Sequence, residues 1–212
     1  MTRPAANDRP SLTGWPVNLL VAGRKVVVVG GGRIAARKTA PLVAIGANVT
    51  VVAPALSDEI RELNVVLIER AFEPGDLDEA WFVITATNVP AVNAAVFEAA
   101  EARRIFCNSA DDPANCSATL LALVRQGDMV VAIGSGGKSP ALATWLRQHV
   151  QSELGPEYLT LVELLSEERE AMRAEGHSSE DANWQNAFAS GIVELVKTGQ
   201  IDAAREVLRT CL

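Results

Sequence analysis

Lys25 to Val29, a strand ending in four consecutive valines, leads directly into three consecutive glycines, Gly30 to Gly32, and a helical pattern follows from Ile34 to Ile45 before stopping near Gly46. An apolar strand, a glycine turn and a helix in that order constrain the fold more than any other feature of the chain. Within the turn, Gly30-Gly31-Gly32-Arg33-Ile34-Ala35 has the spacing G-x-G-x-x-A. In that spacing Gly30 permits the tight turn, Gly32 lets an anionic pyrophosphate approach the backbone, and Ala35 lets the helix pack closely. The unpaired N–H groups of the helix start then face the anion. The competing reading is a turn needed only for folding, and the placement between strand and helix favours the dinucleotide site.

The same rhythm continues. Asn48 to Val52 is β-rich and broken by Pro54, Ser57 to Leu63 reads as a short helix, and Val65 to Ile68 as a third strand. Trp81 to Ala86 is a fourth strand, a helix from Pro90 to Ala102 opens on proline, and Ile105 to Ser109 is a fifth strand. Alternating strands and helices predict an α/β fold, a doubly wound parallel sheet whose ligand lies outside the carboxyl ends of the strands. Functional groups are therefore expected after Val29, Val52, Ala86 and Ser109.

After Pro113 the rhythm changes. Ala118 to Val124 and Met129 to Ile133 read as a hairpin joined by Arg125 to Asp128, followed by a Gly-rich loop from Gly134 to Pro140 and a helix from Ala141 to Leu154. Helices are expected over Glu157 to Glu175, Asn183 to Lys197 and Ile201 to Arg209. The predicted domains are thus a dinucleotide-binding domain over 1–113, a segment over 114–155 and a helical region over 156–212.

Acidic and basic residues balance up to residue 152, and the whole net charge of −7 falls beyond it. Without a basic stripe, a nucleic-acid partner is not expected. The 3 cysteines form no C-x-x-C pair, which argues against a disulfide framework or structural zinc and for a reducing compartment. No membrane span and no leader are read, so the expected location is cytoplasmic. His149 and His177 lack neighbours at ligand spacing, and no metal is predicted.

The end of the second strand, Val52-Ala53-Pro54, lacks the acidic residue that usually holds the adenosine ribose. The residues themselves therefore leave NAD and NADP open. Thr85-Ala86-Thr87-Asn88 offers small polar groups where the nicotinamide half would pass, or else simply caps a helix.

Four blocks in register resemble the precorrin-2 dehydrogenase family, the N-terminal module of siroheme synthase. They are Val28-Val29-Gly30-Gly31-Gly32-x-Ile34-Ala35-x-Arg37-Lys38, Thr85-Ala86-Thr87, Phe106-Cys107-Asn108-x-x-Asp111 and Ser135-Gly136-Gly137-Lys138-Ser139-Pro140, and the resemblance spans about residues 15 to 155. It implies a Rossmann domain, a dimerisation segment exchanged in a homodimer, and a helical C-terminal part. It further implies NAD as cofactor and precorrin-2, a tetrapyrrole, as substrate, with oxidation to sirohydrochlorin on a route to siroheme or cobalamin. Iron chelation by the same site is implied only as a secondary activity of some members.

Residue by residue, the resemblance carries the catalytic aspartate to Asp111 and dinucleotide contacts to Arg33, Ile34, Pro54 and Ala55, alongside Gly30, Gly31, Gly32, Thr85, Ala86, Thr87 and Asn88. A carboxylate at Asp111 would accept the proton lost when a hydride leaves the substrate, whereas the bland reading of Asp111-Asp112-Pro113 is a solvated turn. The loop residues Ser135, Gly136, Gly137, Lys138 and Ser139 suit the substrate's carboxylates, with Arg103, Arg104 and Arg147 as further cations. A non-enzymatic NAD-sensing regulator is the rival reading, and it has no need of Asp111 or of the second glycine loop.

Overall fold

The computed structural model describes residues 14–110, 112–180 and 182–212. The chain forms two units, the first ending at Leu120 and the second covering Leu121–Leu212.

The first unit is built on five parallel strands, β1 (Lys25–Val29), β2 (Asn48–Val52), β3 (Val66–Ile68), β4 (Phe82–Thr85) and β5 (Phe106–Ser109), in the order β3-β2-β1-β4-β5. Three helices connect them: α1 (Arg33–Ala44), α2 (Asp58–Arg61) and α3 (Pro90–Arg103). The valines of β1 explain why it lies in the middle. Val26 and Val28 face one core with Ala35, Ala36, Val49, Val51 and Ile84, while Val27 and Val29 face a second with Val83, Val96 and Ala100. A strand with apolar side chains on both faces must be covered on both, and α1 and α3 do so from opposite sides. Each fully buried valine contributes roughly 1.5–3 kcal/mol.

These elements agree with the expected α/β fold to within a residue or two, apart from α2, which is confined to four residues.

The second unit opens with an antiparallel hairpin, β6 (Ala122–Gln126) and β7 (Met129–Ile133), which pairs Gln126 with Met129 around Gly127 and Asp128. Gly127 sits at φ +58°, the left-handed conformation that a two-residue hairpin turn requires. The first arm is therefore not Ala118 to Val124. Ala118 belongs to the first unit, where its N–H donates to the Cys107 carbonyl at 3.0 Å and its own carbonyl accepts from Asn108 Nδ2 at 3.0 Å.

Among the described residues five helices follow: α4 (Pro140–Glu153), α5 (Glu157–Ala174), α6 (Trp184–Ala189), α7 (Ile192–Lys197) and α8 (Ile201–Cys211). Their core joins Leu161 and Leu164 of α5 to Ala187, Ile192, Val196, Ala204 and Leu208. The single helix expected over Asn183 to Lys197 is instead two, because Gly191 adopts φ +79° and turns the chain between them. None of α4 is fully buried, and it leaves Leu142 50% and Trp145 58% exposed.

Candidate functional site

Beyond the strands the parallel ladder continues for one more residue. Gly30 N–H donates to the Val52 carbonyl at 2.9 Å, Ala86 N–H to Val29 at 2.8 Å, and Ala110 N–H to Thr85 at 2.8 Å. The segments after Val29, Val52, Thr85 and Ser109 therefore leave the sheet along one edge, as expected for a doubly wound sheet.

The three glycines at that edge have different duties. Gly30 adopts φ +130°, and a Cβ there would stand 2.5 Å from the Ala86 carbonyl oxygen. A Cβ on Gly31 would run into the Ala55 carbonyl oxygen and lie 3.0 Å from Ala53 Cβ. The Gly31 carbonyl in turn accepts from Ser57 N–H at 2.8 Å, which ties the glycine turn to the loop after β2. Around Gly32, by contrast, nothing among the described residues lies within 4 Å of the Cβ position. Gly30 and Gly31 are dictated by the chain's own packing, and Gly32 opens outward.

Gly32 is also the N-cap of α1, with no side chain capping the helix and no acidic residue in its first turn. The first N–H groups of a helix lack intrahelical partners and carry the positive end of its dipole. An anionic group is the complement of this end, and a pyrophosphate fits the residues present. Arg33 and Ile34 start the helix on its exposed side, and Pro54 and Ala55 are exposed at the end of β2, whose neighbouring Ala53 is buried.

At the end of β4 the hydroxyls of Thr85 and Thr87 both donate to Asn93 Oδ1, the latter at 2.7 Å. Asn93 Nδ2 returns a bond to the Thr87 carbonyl at 3.1 Å, and Thr87 Oγ1 accepts from Val89 N–H at 3.1 Å at the start of α3. Thr85 is fully buried, Ala86 and Thr87 are half-buried, and Asn88 is exposed. Thr87 thus braces the turn ahead of α3 and does not cap the helix, whose N-cap is Val89 with no side-chain cap. Asn93, which organises this corner, was not singled out, although its spacing with Val96 and Ala100 puts it on the buried face of α3.

Beyond β5 lies the turn Pro113–Asn115. Asp112 caps it, accepting from Ala114 N–H at 3.2 Å and from Asn115 Nδ2, so its carboxylate has a structural task. Asp111 lies outside the described residues. On the upstream side Lys38 of α1 donates to Asn108 Oδ1 at 3.3 Å, which links the glycine-turn helix to β5. Burial pushes the Cys107 thiol up to about 12, with smaller contributions from Cys116 and Glu101, which leaves it unreactive at neutral pH.

In the second unit the loop before α4 is held by its own serines. Ser135 Oγ accepts from Ser139 N–H at 3.0 Å, Lys138 N–H donates to the Ser135 carbonyl at 3.1 Å, and Ser139 Oγ caps α4 by accepting from Leu142 N–H at 3.2 Å. Gly136 and Gly137 take φ +59° and +75°, and Lys138 is exposed.

The other cations are elsewhere. Arg103 and Arg104 end α3 and so stand at the amino edge of the sheet, opposite the glycine turn, where Arg103 Nε meets Asp78 Oδ1 at 3.1 Å. Within the first unit they cannot share a cleft with Gly32. Arg147 donates to Gln151 at 2.7 Å on α4. His149 stacks on Trp145 with ring centroids 5.4 Å apart, and among the described residues no three His, Cys, Asp or Glu side chains gather as metal ligands.

An open Gly32 at an uncapped helix start, outside the carboxyl edge of a β3-β2-β1-β4-β5 sheet, defines a dinucleotide-binding protein. The family model described as putative NAD(P)-binding matches residues 17–122, and the chain belongs to that family. Siroheme synthase 1 of Yersinia enterocolitica is 37% identical over 195 residues, and siroheme synthase of Methylobacillus flagellatus is 35% identical over 203. These alignments take in 89% and 93% of this chain but only 41% and 44% of the relatives, so the chain spans about two-fifths of their length. A solved structure titled SirC, precorrin-2 dehydrogenase, superposes with a TM-score of 0.72 at 27% identity, covering 93% of this chain and 98% of that one.

Proposed function

We propose that this chain is a precorrin-2 dehydrogenase, oxidising precorrin-2 to sirohydrochlorin on the route to siroheme or cobalamin. The observation that carries the reading is Gly32, open at the α1 N-terminus, in a chain that covers nearly all of a protein titled precorrin-2 dehydrogenase. Bound NAD supplies the hydride acceptor. The glycine turn and the first N–H groups of α1 hold its pyrophosphate, with Gly30, Gly31, Arg33, Ile34, Pro54 and Ala55 around it. Ala86, Thr87 and Asn88 would border the nicotinamide half, with the fully buried Thr85 behind them and both threonine hydroxyls held in place by Asn93.

Loss of two hydrogens from the substrate divides into a hydride and a proton. Asp111, next in the chain after Ala110 at the end of β5, is the group that accepts the proton. Asp112 does not share this role, because its carboxylate caps the following turn. The backbone N–H groups of Gly136 and Gly137 and the exposed Lys138 side chain, in the loop Ser135 to Ser139, bind substrate carboxylates.

The protein acts as a homodimer in the cytoplasm. Leu123, Val130, Leu142 and Trp145 leave apolar surface on the hairpin and α4, which a second copy would cover. No helix among the described residues is long and apolar enough to cross a membrane.

The test is to incubate the purified protein anaerobically with precorrin-2 and either NAD or NADP, following the absorbance of sirohydrochlorin and of the reduced cofactor. Coupled appearance of both with NAD is expected. No turnover with either cofactor would overturn the proposal.

A further inference from the structure

The turn that follows β4 is held from behind by one amide, that of Asn93 on the buried face of α3. Asn93 is 5% exposed, and both ends of its amide are used. Its Oδ1 accepts from the hydroxyls of Thr85 and Thr87, the latter at 2.7 Å, and its Nδ2 donates to the Thr87 carbonyl at 3.1 Å. Thr87 Oγ1 also accepts from Val89 N–H at 3.1 Å and lies 3.2 Å from the Val89 carbonyl. Thr87 is thus fixed through its hydroxyl and its carbonyl alike.

The same turn stands against the glycine turn, with the Ala86 carbonyl oxygen 2.5 Å and the Thr87 nitrogen 3.4 Å from the Cβ position of Gly30. What it can offer a ligand follows by elimination. Thr85 is buried, both threonine hydroxyls are engaged, the Thr87 carbonyl is taken and the Ala86 carbonyl is crowded by Gly30. The N–H groups of Thr87 and Asn88 and the exposed Asn88 amide make no hydrogen bond among the described residues.

We infer, on the function proposed above, that Asn93 is a positioning residue for the nicotinamide half of the dinucleotide. It turns the hydroxyls and the carbonyl of the turn inward and leaves the Thr87 and Asn88 N–H groups, with the Asn88 amide, to meet that half. An amide suits the task because it accepts from two hydroxyls at one end and donates to a carbonyl at the other. An apolar side chain of similar size would leave the Thr85 hydroxyl buried without an acceptor and release Thr87 to rotate. The adenosine and pyrophosphate half is held elsewhere, by the glycine turn and the start of α1, so loss of Asn93 separates the two halves.

The experiment measures, on the full chain, the affinities for NAD and for ADP by calorimetry and the turnover of precorrin-2. ADP carries the adenosine and pyrophosphate without the nicotinamide. Asn93→Leu removes donor and acceptor, and Asn93→Asp keeps the acceptor while losing the donor. NAD affinity is expected to fall about tenfold in the leucine variant and about threefold in the aspartate variant, with ADP affinity unchanged in both. Misplacement of the nicotinamide should also lower kcat of the leucine variant by about tenfold.

Equal losses for NAD and ADP would show that Asn93 supports the whole domain, and unchanged NAD affinity in folded Asn93→Leu would show that the turn needs no such brace. Either result overturns the inference. If Asn93→Leu does not fold, Asn93→Asp decides by the same split. If neither folds, Asn93 serves folding alone and the inference fails. A wild type that binds NAD but does not turn over precorrin-2 would overturn the proposed function alone, and the comparison of NAD with ADP would still decide the role of Asn93.

Discussion

Gly30 packs against the carbonyl group of Ala86 so closely that a Cβ would stand 2.5 Å from its oxygen. The glycine also holds φ +130°, a conformation that L side chains rarely adopt. Gly30→Ala should therefore destabilise the fold by about 2–4 kcal/mol, since both the turn and the β1–β4 approach must shift. A urea melt with a wild-type midpoint would show that the turn does not need glycine there.

Two residues on, the expectation reverses. Nothing among the described residues lies within 4 Å of the Cβ position of Gly32, so Gly32→Asp should fold normally. Its side chain and negative charge would occupy the space left for a pyrophosphate, and NAD affinity should fall by at least about 10²-fold. Calorimetry on the folded variant checks this, and unchanged affinity would place the cofactor elsewhere.

Adjacent aspartates should behave differently. Asp111→Ala is expected to lower turnover by about 10²–10⁴-fold with NAD binding intact. Asp112→Ala removes the cap of the Pro113–Asn115 turn and should cost about 1 kcal/mol of stability, with a smaller effect on turnover. Equal losses of activity in the two variants would withdraw the catalytic assignment of Asp111.

Asp76 is buried and bonded through both oxygens to Arg70, at 2.9 and 2.6 Å, and this pairing holds its carboxyl below its usual value near 3.8. A carboxyl depressed by folding stabilises the native state above its unfolded pKa, and the contribution fades as pH falls through the folded value. Asp76→Asn should accordingly cost about 1.5–3 kcal/mol at pH 7, a penalty that shrinks below about pH 4. Thermal melts of both proteins across pH 3 to 7 test the sign. A constant difference would show that the ion pair does not control stability.

The exposed Leu142 and Trp145 of α4 bear on the proposed homodimer. Light scattering at about micromolar concentration should find a dimer, and Trp145→Asp should convert it to a monomer. A monomeric wild-type chain would contradict the proposed assembly.

The glycine turn and the central strand were legible because the information is local: four valines alternate between two cores, and the turn chemistry lies within six residues. Hairpin placement was harder. Ala118-Thr119-Leu120-Leu121 has the same apolar character as a strand, yet Cys107 and Asn108 claim Ala118 through bonds across ten residues of chain. No local pattern records that competition. Gly191 likewise looked tolerable inside a helix until its left-handed backbone divided α6 from α7. At the site, the glycine spacing announced an anion-binding turn, but it did not reveal that Gly31 is occupied with the loop after β2. Asn93 was within reach of the helical period, since an asparagine on an apolar face needs a polar partner.

The Cys107 carbonyl, bonded to the N–H groups of Ser117 and Ala118, also bears on where the chain can be divided. β5 is an outer strand of the sheet, and an outer strand with bare peptide groups invites pairing with another molecule. Residues 117 and 118 act as a fender along it, whereas β3 at the other border is short, three residues, and followed by Glu69 and Arg70. Severing the chain behind Asp112 would strip the fender and leave a nucleotide-binding fragment prone to cross-molecular strand addition. Severing it behind Leu120 would leave the border sheathed.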